Sequence, residues 1–259
     1  MMLRSLFVFF MGSIVGSFLN VCIYRMPREE SVVVPRSYCP HCKRGIFWYD
    51  NIPFFSFLIL GGKCRFCRQP ISPRYLLIEG LTASSFLFVY RTFGPTPLFL
   101  IYAAWMSGLI AASFIDLEHQ IIPDSISLGG LVVGMIVSFL YPPLHGTASR
   151  WMSLWHSSIG ALVGGGSIFL IGLIGNFVFK KESMGGGDVK LLAMVGALLG
   201  WRAALLAFFI APFFGSVVGI TLKIRKGAEI IPYGPFLSLG SIIALFWGEA
   251  ILRHLGFIL

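Results

Sequence analysis

The sequence predicts an all-α polytopic membrane protein, with about eight transmembrane helices and a small cytoplasmic zinc-ribbon-like insertion after the first. Three observations carry that prediction. Hydrophobic residues make up 56% of the 259 and charged residues 12%, with a mean hydropathy of +0.84, far too apolar for a water-soluble globule. The apolar runs are continuous rather than alternating, and in hydrocarbon such a run satisfies its backbone hydrogen bonds as a helix. The Lys and Arg residues divide very unevenly between alternate loops.

Taken in order, the apolar runs cover residues 3–24, 75–89, 97–115, 126–141, 157–179, 189–199, 203–222 and 236–252, against the roughly 17 to 25 residues a crossing helix needs. The shorter ones have weak boundaries, and the sixth is open to continuing through Gly200 and Trp201. The first run carries Asn20 and Arg25 near its end and no small-residue cleavage site, so it reads as a retained span and not a signal peptide. Arg4, Arg91, Arg150, Arg202 and Arg253 fall on one set of loops, and the other fifteen of the 20 basic residues fall on the alternate set. The positive-inside rule places the fifteen in the cytoplasm and both termini outside. Topology and anionic membrane lipid then account for the net charge of +9. No basic stretch is interleaved with aromatics, so nucleic acid is not expected as a partner.

The polar insertion, residues 26–74, holds four of the 5 cysteines, in SYCPHCKRG and GKCRFCRQP. Cys39, Cys42, Cys64 and Cys67 form two CxxC pairs, each presenting two sulfurs from one turn, as a tetrahedral four-thiolate zinc site requires. Gly45 and Gly61-Gly62 are expected to supply the turning backbone. A reducing cytoplasm argues against two disulfides. Four protein ligands leave no open position, so the zinc is expected to be structural and to stabilise a segment too small for a core of its own. His41, a spacer residue, is expected to point away, and Cys22 to be a small buried residue of the first span.

Of the 11 acidic residues, Glu29, Glu30, Asp50, Glu182 and Glu229 fall in polar loops or turns. Glu79, Asp116, Glu118, Asp124, Asp188 and Glu249 lie in or beside spans, where a carboxylate is costly to place. Asp116 ends the third span in FIDLEHQIIPDSISL, and Asp188 opens the sixth in MGGGDVKLLAMVGALLGW. Both fall at the cytoplasmic edge, so the two could meet across a bundle. An aspartic protease needs such a meeting: like charges held close cannot both ionise, so one acid polarises the scissile carbonyl while the other activates water. Gly185, Gly186 and Gly187 would admit a substrate strand. The plainer reading is a glycine turn with Asp188 as a helix cap. Asp124, in IPDSISL, competes with Asp116, and the residues alone leave that choice open.

In order, GSFLNVCIYRMPRE, the two CxxC motifs, RYLLIEGLTA, FIDLEHQIIPD, MGGGDVKLLAMVGALLGW and IPYGPFLSLG resemble the bacterial type IV prepilin peptidases, or prepilin leader peptidase/N-methyltransferases, over nearly the whole chain. The resemblance implies an inner-membrane aspartic protease of the GxGD class. Its catalytic residues would be Asp116 and Asp188, its motif glycines Gly185 and Gly187, and Asp124 a cap or supporting group. It implies removal of the basic leader from type IV prepilins and type II secretion pseudopilins, after a glycine. N-methylation of the new N-terminus, usually Phe, would follow, with S-adenosylmethionine as donor. It also implies three regions: a first span, 1–25; a cysteine loop associated with methyl transfer, 26–74; and a seven-helix peptidase domain, 75–259.

No GxGxxG follows a strand, and the glycines from Gly164 read as helix-packing positions, so no cofactor-binding residue is assigned. That site is expected between the insertion and the first spans, near Asn20, Arg25 and Glu79, although Glu79 could instead pair with Arg25 or Arg74 as a structural bond. Glu29, Glu30, Asp50, Glu118 and Asp124 are candidate contacts for a basic leader. Two rival classes are a transporter built on intramembrane carboxylates, which predicts internal repeats not found here, and a zinc-ribbon scaffold in which both aspartates are incidental.

Overall fold

The computed structural model describes residues 2–179, 185–226 and 232–256. Lys180, Lys181, Glu182 and Glu229 lie outside them. The apolar runs form α1 (Met2–Arg25), α3 (Arg74–Phe93), α4 (Pro97–His119), α5 (Asp124–Leu140), α6 (Arg150–Phe179), α7 (Gly186–Leu199), α8 (Trp201–Lys226) and α9 (Gly234–His254), with a short α2 (Phe55–Ile59) inside the polar insertion. Among the described residues there is no strand, only isolated bridges between Tyr38 and Gly45 and between Lys63 and Pro70. Among the described residues five helices, α1, α4, α6, α8 and α9, are long and apolar enough to cross a membrane. The protein is therefore an all-α, multi-pass membrane protein.

Prolines set several helix starts, because a missing N–H costs nothing in a first turn: Pro97 opens α4, Pro123 precedes α5 and Pro235 stands in the first turn of α9. The sixth span does not run on through Gly200 and Trp201. Helix α7 is 14 residues long and ends at Leu199; Gly200 then takes φ +81°, a value most side chains resist, and α8 begins at Trp201.

The chain forms two compact units, Met1–Ala111 and Ala112–Leu259. In the first, α1 packs along α3. In the second, α7 lies against α5 and α6, and α8 packs on α9. Helices α6 and α7 meet backbone to backbone: a Cβ on Gly160 would lie 2.0 Å from the Gly196 carbonyl oxygen, and one on Gly196 would lie 1.9 Å from that of Gly160. Gly164 faces the Leu192 carbonyl in the same way, which makes it the packing position expected. Ser157 Oγ donates to the Ala197 carbonyl over 2.8 Å. Glycine contact and hydroxyl bond together fix how α7 sits, and so where Asp188 at its first turn is placed.

Candidate functional site

Asp116 lies in the last turn of α4 and is 6% exposed. A buried carboxylate needs a donor, and the start of α9 supplies one: the Gly234 N–H donates to Asp116 Oδ2 over 2.9 Å. This amide is among the N–H groups that a helix start leaves without an intrahelical partner. A Cβ on Gly234 would lie 2.8 Å from the same oxygen, so the approach needs glycine.

Asp188 is the third residue of α7, whose N-cap is Gly185. Its carboxylate accepts from the Gly185 N–H, as the acid of a capping box does. It therefore caps its own helix and still stands within Coulombic reach of Asp116. Ile122 packs between the two glycine positions: a Cβ on Gly187 would lie 3.0 Å from Ile122 Cβ, and one on Gly234 would lie 3.1 Å from Ile122 Cδ1. Gly186 has open space where a Cβ would stand. Asp116, Asp188, Gly185 and Gly187 thus come together at one end of the second unit, with each carboxylate on the amide end of a helix, which favours negative charge.

Gly234 and Tyr233 received no role from the sequence. The signal was the Tyr-Gly-Pro break before an apolar run, a helix start whose free amide had to meet an acceptor. Burial and the nearby Asp188 carboxylate push the Tyr233 phenol up to about 12, so this side chain stays a neutral group beside the pair.

Asp124 is not the cap of α5. The N-cap is Pro123, with no side-chain cap bond. Instead Asp124 Oδ1 accepts from Lys190 Nζ over 2.7 Å, with both side chains substantially exposed. The ammonium on α7 draws the carboxylate away from its own helix end.

In the first unit, one sulfur from each of Cys39, Cys42, Cys64 and Cys67 lies within 4.8 Å of all the others. Cys39 Sγ and Cys67 Sγ are 3.8 Å apart, which matches the roughly 3.8 Å that tetrahedral zinc with Zn–S bonds of about 2.3 Å imposes. The donor set fits zinc. Both CxxC turns are built alike: Cys39 N–H bonds the Arg44 carbonyl and Lys43 N–H that of Cys39, while Cys64 N–H bonds Gln69 and Arg68 N–H bonds Cys64. Gly61 and Gly62 take positive φ as expected, but Gly45 does not; after each second cysteine the turn is made by Lys43 and by Arg68, both at φ +59°. His41 is exposed and outside the sulfur cluster, and Cys22 is buried on α1.

Arg25 does not pair with Glu79. Its guanidinium donates to the carbonyls of Ser31, Pro35 and Arg36 and ties the start of the insertion to the end of α1. Glu79 accepts instead from the Phe54 N–H over 3.0 Å and from the Ser17 hydroxyl.

Residues 10–93 match the Bacterial Peptidase A24 N-terminal domain, and residues 103–220 match the Type IV leader peptidase family. The four cysteines fall in the first match and both aspartates in the second. A prepilin leader peptidase/N-methyltransferase of Aeromonas hydrophila is 35% identical, over 95% of this chain and 91% of that protein. The chain belongs to the type IV leader peptidase family. A prepilin leader peptidase/N-methyltransferase of Legionella pneumophila is 36% identical over 92% of this chain and 90% of that protein. One of Myxococcus xanthus is 41% identical over 87% of this chain, and the match spans 65% of that protein's length. No solved structure matches the chain.

Proposed function

We propose that this chain removes the leader peptide from prepilins and related pseudopilins at the cytoplasmic face of the inner membrane and then N-methylates the new amino terminus. Family membership supports both activities. The observation that carries the cleavage half is the meeting of Asp116 and Asp188, separated by 72 positions in the chain, at two helix starts of one unit.

Asp116 and Asp188 act as a pair with one proton between them. The ionised carboxylate takes a proton from water as the water oxygen attacks the scissile carbonyl carbon. The protonated acid gives its proton to the carbonyl oxygen, and collapse of the tetrahedral adduct passes a proton to the leaving amine. The Gly234 amide holds one oxygen of Asp116, so the pair is placed before substrate arrives. A Cβ on Gly185 would stand 3.4 Å from Asp188 Oδ2, so glycine keeps a side chain off that carboxylate, while Gly187 leaves room for Ile122.

The fifteen basic residues on alternate loops favour a cytoplasmic location for this end of the bundle. Zinc on Cys39, Cys42, Cys64 and Cys67 would hold the insertion folded and take no part in proton transfer. S-adenosylmethionine, when bound, supplies an electrophilic methyl group for the freed amine. Of the five candidate contacts for a basic leader, Asp50 is already engaged by Arg65 and Asp124 by Lys190; of the other three, Glu29 and Glu30 lie exposed on the insertion, where Glu30 accepts from the neutral Tyr38 hydroxyl, and these two are the acids there that would meet it.

Mass spectrometry of a purified prepilin incubated with the protein tests both halves at once. The expected product lacks its leader and, with S-adenosylmethionine present, gains the mass of one methyl group. A substrate left intact by wild-type protein, where a known leader peptidase cuts it, contradicts the reading.

A further inference from the structure

The first unit contains a cavity of about 290 Å³ between α1, α3 and the cysteine insertion, near the lower end of the roughly 300–1,000 Å³ of ligand pockets. Its walls carry a combination that the fold does not need. Asn20 is 1% exposed. Its Nδ2 donates to the carbonyls of Gly16 and Tyr75, but its Oδ1 has no partner, a state that costs free energy unless something donates to it. Glu79 is 8% exposed, and both partners found for it, the Phe54 amide and the Ser17 hydroxyl, are neutral. A buried carboxylate held this way attracts a cation.

The backbone repeats the message. Phe54 takes φ +62° and ψ −53°, and the Phe55 N–H closes a three-residue turn on the Pro53 carbonyl over 2.7 Å. A bulky residue seldom adopts this conformation, which stores strain. The strained turn aims the Phe54 amide at Glu79. Phe54 and Tyr75 add aromatic faces to the same cavity, and Arg44 lines its insertion side.

We propose that this cavity binds S-adenosylmethionine, with Glu79 as counter-charge to its cationic sulfonium–ammonium part and Asn20 Oδ1 as acceptor for one of its N–H or O–H groups. The inference rests on the methyl-transfer half of the proposed function and assigns it a place. The chemistry agrees group by group: the donor brings positive charge for the carboxylate, hydrogen-bond donors for the free amide oxygen, a flat adenine for the aromatic walls and a carboxylate for a guanidinium. The zinc-holding turns then have a second use, because Cys39 and Cys64 both line the cavity and a folded insertion closes it.

The test uses the full-length protein in detergent with radiolabelled S-adenosylmethionine. Photo-crosslinking followed by peptide mapping is expected to place the label on segments 17–25, 37–57, 60–66 or 69–79. Label found only elsewhere, while prepilin is still methylated, overturns the site and leaves the methyltransferase reading standing. No methylated product and no bound donor removes that reading, and the site with it. Equilibrium binding should weaken about tenfold or more in Glu79→Gln and in Asn20→Leu, with zinc content and melting temperature as in wild type. Unchanged affinity in both variants would also overturn the assignment.

Discussion

The backbone nitrogen of Gly234 stands 2.9 Å from Asp116 Oδ2, so the start of α9 holds one carboxylate of the pair while the start of α7 carries the other. Two helix ends from distant parts of the chain thus place the two carboxylates of the proposed site. A Cβ on Gly234 would press on Asp116 at 2.8 Å. Gly234→Ala is expected to lower kcat/KM for leader removal by about a hundredfold, since a displacement near 1 Å has that effect on a positioned group.

The glycines before Asp188 predict a graded series. A Cβ at Gly187 meets Ile122 at 3.0 Å, whereas one at Gly186 meets nothing within 4 Å. Gly187→Ala should slow cleavage clearly and Gly186→Ala by less than about threefold, since each tenfold in rate corresponds to roughly 1.4 kcal/mol of barrier. Steady-state kinetics of the two variants side by side check this. Equal losses would show that backbone freedom, and not room beside Ile122, is what the motif requires.

Asp124, a plausible partner from the sequence, is tied to Lys190 at the surface. Exposed pairs of this kind contribute about 1 kcal/mol or less. Asp124→Asn should therefore shift the melting temperature by a few degrees at most and retain most of the cleavage rate. Loss of cleavage in this variant, in protein that is still folded, would move the site away from Asp116.

The eight apolar runs of the sequence each found a helix, because continuous hydrophobicity is a strong signal in a chain with 56% apolar residues. The sulfur cluster was equally legible, since CxxC spacing nearly dictates its own geometry. What the residues alone could not decide was which of Asp116 and Asp124 faces Asp188. They are eight positions apart at neighbouring helix ends, and which of the two meets Asp188 depends on the direction in which α5 leaves the chain turn at Ile122 and Pro123. Gly234 was hidden for a similar reason. Its role depends on a contact across 118 residues, which no local pattern encodes. Lys43 and Arg68 at positive φ were missed because glycines nearby offered the easier explanation.

The contact of Gly160 with Gly196 predicts a purely structural loss. At 2.0 Å there is no room for a methyl group, so Gly160→Ala must separate α6 from α7. Overpacking of this kind costs about 1–3 kcal/mol or more. Thermal unfolding in detergent should show the drop. An unchanged melting temperature would contradict the close crossing of the two helices.

Zinc removal tests the insertion. Metal analysis of purified protein is expected to find one zinc per chain, released by a strong chelator or absent in Cys39→Ser/Cys64→Ser, with new protease cuts between residues 30 and 70 once the metal is gone. Full folding of the insertion without metal would mean that the sulfur cluster is not what holds it.

Leader removal by Asp116→Asn and Asp188→Asn, compared with wild type under single-turnover conditions on a purified prepilin, tests the central claim most directly. Each substitution keeps shape and removes the acid, and each is expected to reduce the rate by about 10⁴-fold or more, as loss of a core catalytic group does, with melting temperature and zinc content unchanged. Cleavage within tenfold of wild type by either variant would contradict the account.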